Sequence, residues 1–208
     1  FGRWGWYGDV RYGAYTVLAG AYDDIIKETN MIVFWAAGNS RDGGPRHLAG
    51  PDRPISCTAH RHDPNPHGPN VFADCISSGS GAKNMITVGA MADANDIANF
   101  SSYGPMDDGR IKPDVVAAGN PLYSTWHTCN TCYNAISGTS MATPLVTGIG
   151  SLIVQDAMTN MNSISSPEFP FRRIWTPMTP EGMKALLVQT PDDVDGFEQA
   201  TVGPDYAT

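Results

Sequence analysis

The sequence predicts an α/β protein with a mostly parallel sheet, on two observations. Three short segments, residues 31–37, 85–90 and 114–118, are almost wholly apolar, as strands are when a parallel sheet is covered on both faces. Segments with helical character alternate with these strands along the chain, which is the order typical of an α/β fold. The 208 residues contain no internal repeat, so we expect a single domain that carries a long loop insertion at about residues 40–80.

Three segments predict helices. Residues 14–29 place apolar side chains mostly three or four positions apart, as one face of a helix requires. Residues 140–158 are apolar almost all round, which indicates a helix in the centre of the domain. Residues 179–181 combine a capping hydroxyl, a proline and an acid, the pattern of a helix start. The apolar positions expected on one face of the first and the last helix are Val17, Leu18, Tyr22, Ile25 and Ile26, and then Met183, Leu186 and Leu187.

Four cysteines allow three disulfide pairings. The loop-rich composition favours two disulfides in an oxidising compartment, with Cys57 and Cys75 closing the loop insertion. A zinc site that uses the C-x2-C pair Cys129 and Cys132 is an alternative, but structural zinc usually needs two close ligand pairs. Free thiols are the third possibility.

Charge and hydropathy exclude two classes of partner. The chain has 13 Lys and Arg against 21 Asp and Glu, a net charge of −8, and no basic cluster that could displace counterions from phosphates. We therefore expect no nucleic-acid partner. The longest nearly apolar stretch, residues 145–154, falls well short of the roughly 20 residues that cross a bilayer, so we expect no membrane segment in this chain.

Ser140 is the first candidate for chemistry. Small residues precede it and an apolar helix follows, so its hydroxyl would lie at a helix N-terminus among free backbone N–H groups. That is a favourable place for a nucleophile whose product is an oxyanion. An ordinary helix cap is the alternative for a serine before a helix.

The residues around Ser140 read GTSMATP at positions 138–144, and this segment resembles the nucleophile motif of the subtilisin-like serine proteases without a departure. Residues 31–39, MIVFWAAGN, resemble the strand of that family that ends in A-A-G-N. Residues 85–90 and 99–104 resemble its I-T-V-G-A and F-S-x-x-G segments.

The resemblance continues through residues 109–119, similar to K-P-D-V-x-A-P-G, although Ala118 stands where the family usually has proline. Residues 183–207 resemble the closing helix and the ending of the family domain. The resemblance implies a three-layer subtilisin-like fold with the N-terminal part missing, and a partial peptidase catalytic domain over residues 1–208.

The same resemblance implies a serine endopeptidase that acts on polypeptides through an acyl-enzyme at Ser140. Asn39 would donate its side-chain amide to the oxyanion, and the backbone N–H of Ser140 would be the second donor. An amide suits this role because its uncharged donors bind more strongly as negative charge develops. The positions carried over as substrate-binding are Gly5, in a segment that departs from the family's S-W-G, and Ala36, Ala37 and Gly38 of the specificity pocket.

The base that a serine needs is not among these motifs. The D-S/T-G and H-G-T motifs of the family do not occur, and none of the five histidines has the family context. We therefore expect the catalytic Asp and His upstream of Phe1 and an inactive chain in isolation. A pseudoprotease that binds or scaffolds is the alternative, whereas an α/β-hydrolase would need a G-x-S-x-G elbow, which is absent around Ser140. We expect a secreted, extracellular monomer that requires no cofactor, with a structural calcium ion as an open alternative.

Overall fold

The computed structural model describes residues 13–41, 76–77, 79–93, 96–163 and 178–191. These residues form three helices and five strands. In chain order they are α1 Val17–Thr29, β1 Phe34–Ala36, β2 Ile86–Met91, β3 Val115–Ala118, β4 Leu122–Thr125, β5 Tyr133–Ile136, α2 Thr139–Ser163 and α3 Pro180–Gln189.

The first three strands form a parallel sheet with β2 in the centre, so the predicted α/β class is confirmed. Phe34 of β1 is in register with Ile86, and Val88 of β2 is in register with Val115. Five of the six residues of β2 are buried, which explains why its sequence is apolar apart from Thr87. Helix α2 packs on all three strands, and the main core lies between this helix, α3 and the sheet.

Helix α1 ends at residue 29 as predicted but begins at Val17, three residues later than predicted, and buries a partly different face. The Thr16 hydroxyl caps its start and Asn30, in the left-handed conformation, ends it. The buried positions are Ala19, Asp23 and Ile26, whereas Val17 is 92% exposed. The predicted apolar face is confirmed at Ile26 and wrong at the exposed Val17, Leu18 and Ile25. The helix turns its Asp23 carboxylate inward instead, where it accepts from the backbone N–H groups of residues 83 and 84 at 2.9 and 2.7 Å.

Helix α2 is not buried all round as its sequence indicates. Ala142 and Val146 face the sheet and are buried, whereas Leu145, Ile149 and Leu152 are 40%, 49% and 63% exposed. The prediction of a central helix is wrong for the described residues because their single parallel sheet covers only one side of α2.

A β-hairpin, β4 with β5, follows the sheet and was not predicted. The turn between its strands carries a disulfide between Cys129 and Cys132. Both sulfurs of the C-x2-C pair are therefore joined to each other, which contradicts a zinc site built on their thiolates. Cys57 and Cys75 lie outside the described residues.

Helix α3 begins as predicted at a proline in its first turn. The Thr179 hydroxyl accepts from the N–H of Gly182 at 3.1 Å. Met183 and Leu187 are buried in the main core, whereas Leu186 is 37% exposed and does not belong to the buried face.

The amino end of the sheet is held by an ion cluster. The Lys112 ammonium donates to Asp114 Oδ2 at 2.6 Å, to Thr87 Oγ1 at 2.9 Å and to the Met85 carbonyl at 3.1 Å. Lys184 of α3 pairs with the other oxygen of Asp114 at 2.8 Å. Burial lowers the pKa of Lys112 to about 8, although the Asp114 carboxylate acts in the opposite direction.

The described residues include neither a helix suited to a membrane crossing nor a cluster suited to a metal ion. No helix among them combines the length and the apolar character that a membrane crossing requires. No three His, Cys, Asp or Glu side chains within the described ranges lie close enough together to hold a metal ion.

Candidate active site

Ser140 is exposed in the first turn of α2, at the carboxyl end of the sheet. The segment before it is tied to the end of β3, because the N–H of Gly138 donates to the Gly119 carbonyl at 2.8 Å. Helix geometry supplies no carbonyl partner for the N–H groups of a first turn, and the dipole makes that end positive. The Ser140 hydroxyl and its own N–H therefore lie where a negative charge would be stabilised.

Asn39 follows β1 and reaches the same helix start. Its side-chain oxygen accepts from the backbone N–H of Thr139 at 2.9 Å and from the Thr139 hydroxyl at 3.0 Å. The Thr139 hydroxyl in turn accepts from the N–H of Gly38 at 3.2 Å. Because the Asn39 oxygen is engaged on Thr139, its amide nitrogen is the end left to bind a ligand.

Gly138 leaves a small space beside both candidate donors. A β-carbon built on Gly138 would lie 3.5 Å from Nδ2 of Asn39 and 3.7 Å from the backbone nitrogen of Ser140. The two nitrogens thus lie around one point, at distances slightly longer than a hydrogen bond. An acceptor oxygen near this point, slightly closer to each nitrogen, could accept a hydrogen bond from both.

A groove of about 390 Å³ runs beside Ser140. Its walls come from β1 and from the first turns of α2, and its lining residues are Phe34, Trp35, Ala36, Ser140, Thr143, Pro144 and Thr147. The structure therefore brings Ala36 and Ser140 to one cavity. Of the other positions expected to bind substrate, Ala37 is fully buried against Ile76 and Met106, Gly38 forms the turn after β1, and Gly5 lies outside the described residues.

Two residues at this site were not singled out from the sequence. Thr139 holds the Asn39 carboxamide, and Ser102 holds the turn that carries Asn39, as its N–H donates to the Gly38 carbonyl at 2.9 Å and its Oγ accepts from the N–H of Ser40 at 3.1 Å. Both residues lie inside motif segments of the sequence, which is the signal that could have found them.

Four of the five histidines lie outside the described residues. His127 is exposed on the hairpin, and its ring lies 4.7 Å from the ring of Trp126. Among the described residues, the side chains of Asn39 and Thr139, which meet at the helix start that carries Ser140, are uncharged.

A model of the subtilase family matches residues 6–203 of the chain. Among curated proteins, an extracellular serine proteinase of a Thermus species is 42% identical over 81 residues, which is 39% of this chain and 18% of that protein. Alkaline protease 1 of Aspergillus clavatus is 37% identical over 98 residues, 47% of this chain and 22% of that protein. The chain thus matches only a small part of the length of these relatives.

Solved structures share the fold. The patellamide maturation protease PatA is 22% identical, with a TM-score of 0.57 over 91% of this chain and 52% of that structure. A cold-adapted subtilisin-like serine proteinase is 22% identical, with a TM-score of 0.51 over 89% of this chain and 48% of that structure. The described α/β arrangement is therefore similar to about half of each of these larger chains.

Proposed function

Because the chain belongs to the subtilase family, we propose that it carries the nucleophile and the oxyanion hole of a serine endopeptidase. The observation that carries this proposal is the meeting of three groups at one helix start: the Ser140 hydroxyl, its backbone N–H and the amide nitrogen of Asn39. The groove along β1 would receive the polypeptide next to Ser140.

In this proposal the Ser140 oxygen attacks the scissile carbonyl carbon, and the hydroxyl proton moves to a base. The carbonyl oxygen becomes an oxyanion that accepts from Asn39 Nδ2 and the Ser140 N–H. Collapse breaks the C–N bond, the base returns the proton to the leaving amine, and an acyl-enzyme ester forms on Ser140. Water then hydrolyses the ester and regenerates the serine.

The proposed base is a histidine oriented by an aspartate, in the H-G-T and D-S/T-G motifs that these 208 residues do not contain. We therefore expect the isolated chain to have almost no activity, since loss of the nucleophile or the base lowers turnover by about 10⁶ in enzymes of this type. By the full-length protein we mean this chain together with any segments that precede or follow it.

We also propose that the full-length protein is secreted. One matched relative is named as extracellular, and the disulfide of the hairpin fits an oxidising compartment.

Covalent labelling of the full-length protein with a fluorophosphonate tests the nucleophile. We expect labelling of the wild type, and its loss in Ser140→Ala, because the probe forms its bond with an activated serine oxygen. Ser151→Ala is the matched control, since Ser151 is an exposed serine on the same helix whose hydroxyl only donates to the Thr147 carbonyl. Labelling that survives Ser140→Ala would contradict the proposal, and a folded wild type that is never labelled would favour the pseudoprotease.

A further inference from the structure

Ser102 holds the backbone on both sides of Asn39, and we propose that it is a positioning residue for the oxyanion donor. The inference rests on the proposed function, because it concerns how Asn39 is aimed. Ser102 is fully buried and lies 62 residues away from the turn that it binds.

The two contacts of Ser102 fall on the two peptide groups that flank Asn39. The Gly38 carbonyl, which accepts from the Ser102 N–H at 2.9 Å, belongs to the peptide before Asn39. The Ser40 N–H, which donates to Ser102 Oγ at 3.1 Å, belongs to the peptide after it. Restraining both peptide planes restrains φ and ψ of Asn39, and hence the direction of its Cα–Cβ bond.

The turn itself depends on this close approach. Gly38 has φ of +114°, a conformation that side chains disfavour, and a β-carbon there would lie 3.0 Å from Ser102 Oγ. The neighbouring Ser101 bonds to a different segment, since its Oγ accepts from the N–H of Ala90 in β2 at 3.0 Å. The two serines therefore hold different parts of the backbone, and it is Ser102 that bonds to the turn that carries Asn39.

Ser102 and Thr139 hold different parts of Asn39. Ser102 holds its backbone, whereas Thr139 holds the far end of its side chain through the carboxamide oxygen. An oxyanion donor stabilises the transition state only if it is already aimed where the charge develops. Loss of the Ser102 hydroxyl frees one of the two flanking peptides, so we expect part of the Asn39 effect to disappear.

The test compares four variants of the full-length protein in peptide hydrolysis: Ser102→Ala, Ser101→Ala, Asn39→Ala and the Ser102→Ala, Asn39→Ala double variant. Ser101→Ala is the matched control. Ser101 is 1% exposed and its hydroxyl also accepts from a backbone N–H, but that N–H belongs to β2 and not to the turn that carries Asn39. We expect Ser102→Ala to lower kcat about tenfold with KM within about twofold, against about 10² to 10³ for Asn39→Ala. Ser101→Ala should lower the unfolding temperature to a similar degree and leave kcat within about twofold.

The double variant separates positioning from general damage. If Ser102 acts through Asn39, removing its hydroxyl has no further effect on kcat once Asn39 is alanine. Multiplying effects, or an unchanged kcat in Ser102→Ala beside a lowered one in Asn39→Ala, would overturn the positioning role and leave the oxyanion role standing. An unchanged kcat in Asn39→Ala would overturn the oxyanion role itself. If Ser102→Ala does not fold, Ser102→Cys, which offers only a weak acceptor, replaces it with the same expected outcomes.

Discussion

The two ends of the parallel sheet are held by different chemistry. At the amino end, Lys112, Asp114 and Lys184 connect β2, β3 and α3 through buried or half-buried charges. At the carboxyl end, Asn39 and Ser102 join the segments by hydrogen bonds between neutral groups.

The difference matters for the proposed chemistry. A fixed carboxylate next to Ser140 would repel the developing oxyanion and oppose the helix dipole and the amide donors, because electrostatic interactions are strong in a dry site. The hydrogen bonds that join Asn39, Thr139 and Ser102 involve no titrating group, so they persist at any pH at which the protein is folded. The charged end makes the stability depend on pH, and it lies away from the proposed nucleophile.

The largest expected effect comes from filling the space between the two proposed donors. Gly138→Ala would place a methyl group 3.5 Å from Asn39 Nδ2 and 3.7 Å from the Ser140 nitrogen. The methyl group would also lie 3.3 Å from Met141 Sδ, at a φ of +159° that side chains rarely adopt, so the unfolding temperature is measured beside kcat. We expect kcat of the full-length protein to fall about 10²-fold, because an oxygen can no longer approach both donors. Steady-state kinetics on a peptide substrate would measure it.

Gly148→Ala is the control for that substitution. Gly148 lies on the exposed side of α2, and a β-carbon there would meet nothing within 4 Å. This variant should keep its kcat and gain up to about 1 kcal/mol of stability from helix propensity. If Gly138→Ala also keeps its kcat, the space beside Gly138 is not where the oxyanion forms.

At the charged end, the pH dependence of stability shows whether the buried Lys112 ammonium titrates. The pKa of Lys112 is about 8 in the folded protein against 10.5 ordinarily, so between these values the unfolded state binds more protons at this group. Its contribution to the free energy of unfolding therefore rises from pH 8 to pH 10.5, and it is constant below pH 8. We expect the wild type to gain about 1 to 3 kcal/mol relative to Lys112→Met across that window.

The measurement is chemical denaturation of the full-length protein at several pH values. Lys27→Met is the control, because it removes one lysine from an exposed position at the end of α1 and leaves the cluster intact. Parallel pH profiles for the wild type and Lys112→Met would show that the ammonium does not titrate in this range. The variant should keep the kcat of the wild type, since no residue of the carboxyl end is changed.

Local patterns were sufficient to predict the three parallel strands and the three helices, because apolar runs and the helix start at Thr179 depend only on residues that are close in sequence. The buried face of α1 could not be predicted in this way. Asp23 reads as a surface residue until the loop some 60 residues later supplies two N–H donors for its carboxylate. The hairpin was missed because its strands have four residues each and neither is wholly apolar.

The candidate site shows the same limit. Ser140 and Asn39 stand out because each lies in a recognisable motif, and the structure brings both to one helix start. The motif segment 99–104 could draw attention to Ser102, but its contact with Ser40 could not be predicted, since it spans 62 residues and depends on where two loops meet. Motifs name the reacting groups, whereas the groups that aim them depend on tertiary contacts.

The smallest expected effect is at the tip of the hairpin that leads to Ser140. Replacing Cys129 and Cys132 by serine together should leave kcat within about twofold, because the disulfide closes only a short loop worth at most about 2 kcal/mol. The base of the hairpin has its own bond, from the Gly138 N–H to the Gly119 carbonyl, and a four-pair ladder lies between base and tip.

Gly119→Ala provides the contrast at the base. A β-carbon there would lie 2.8 Å from the Gly138 carbonyl oxygen and 2.7 Å from the Ala90 β-carbon, so the segment before Ser140 must shift. We expect a clear fall in kcat for this variant and almost none for the double serine variant, each measured on the folded full-length protein. A larger loss in the double serine variant would mean that the covalent tip, rather than the neutral hydrogen bonds at the carboxyl end of the sheet, holds the nucleophile in place.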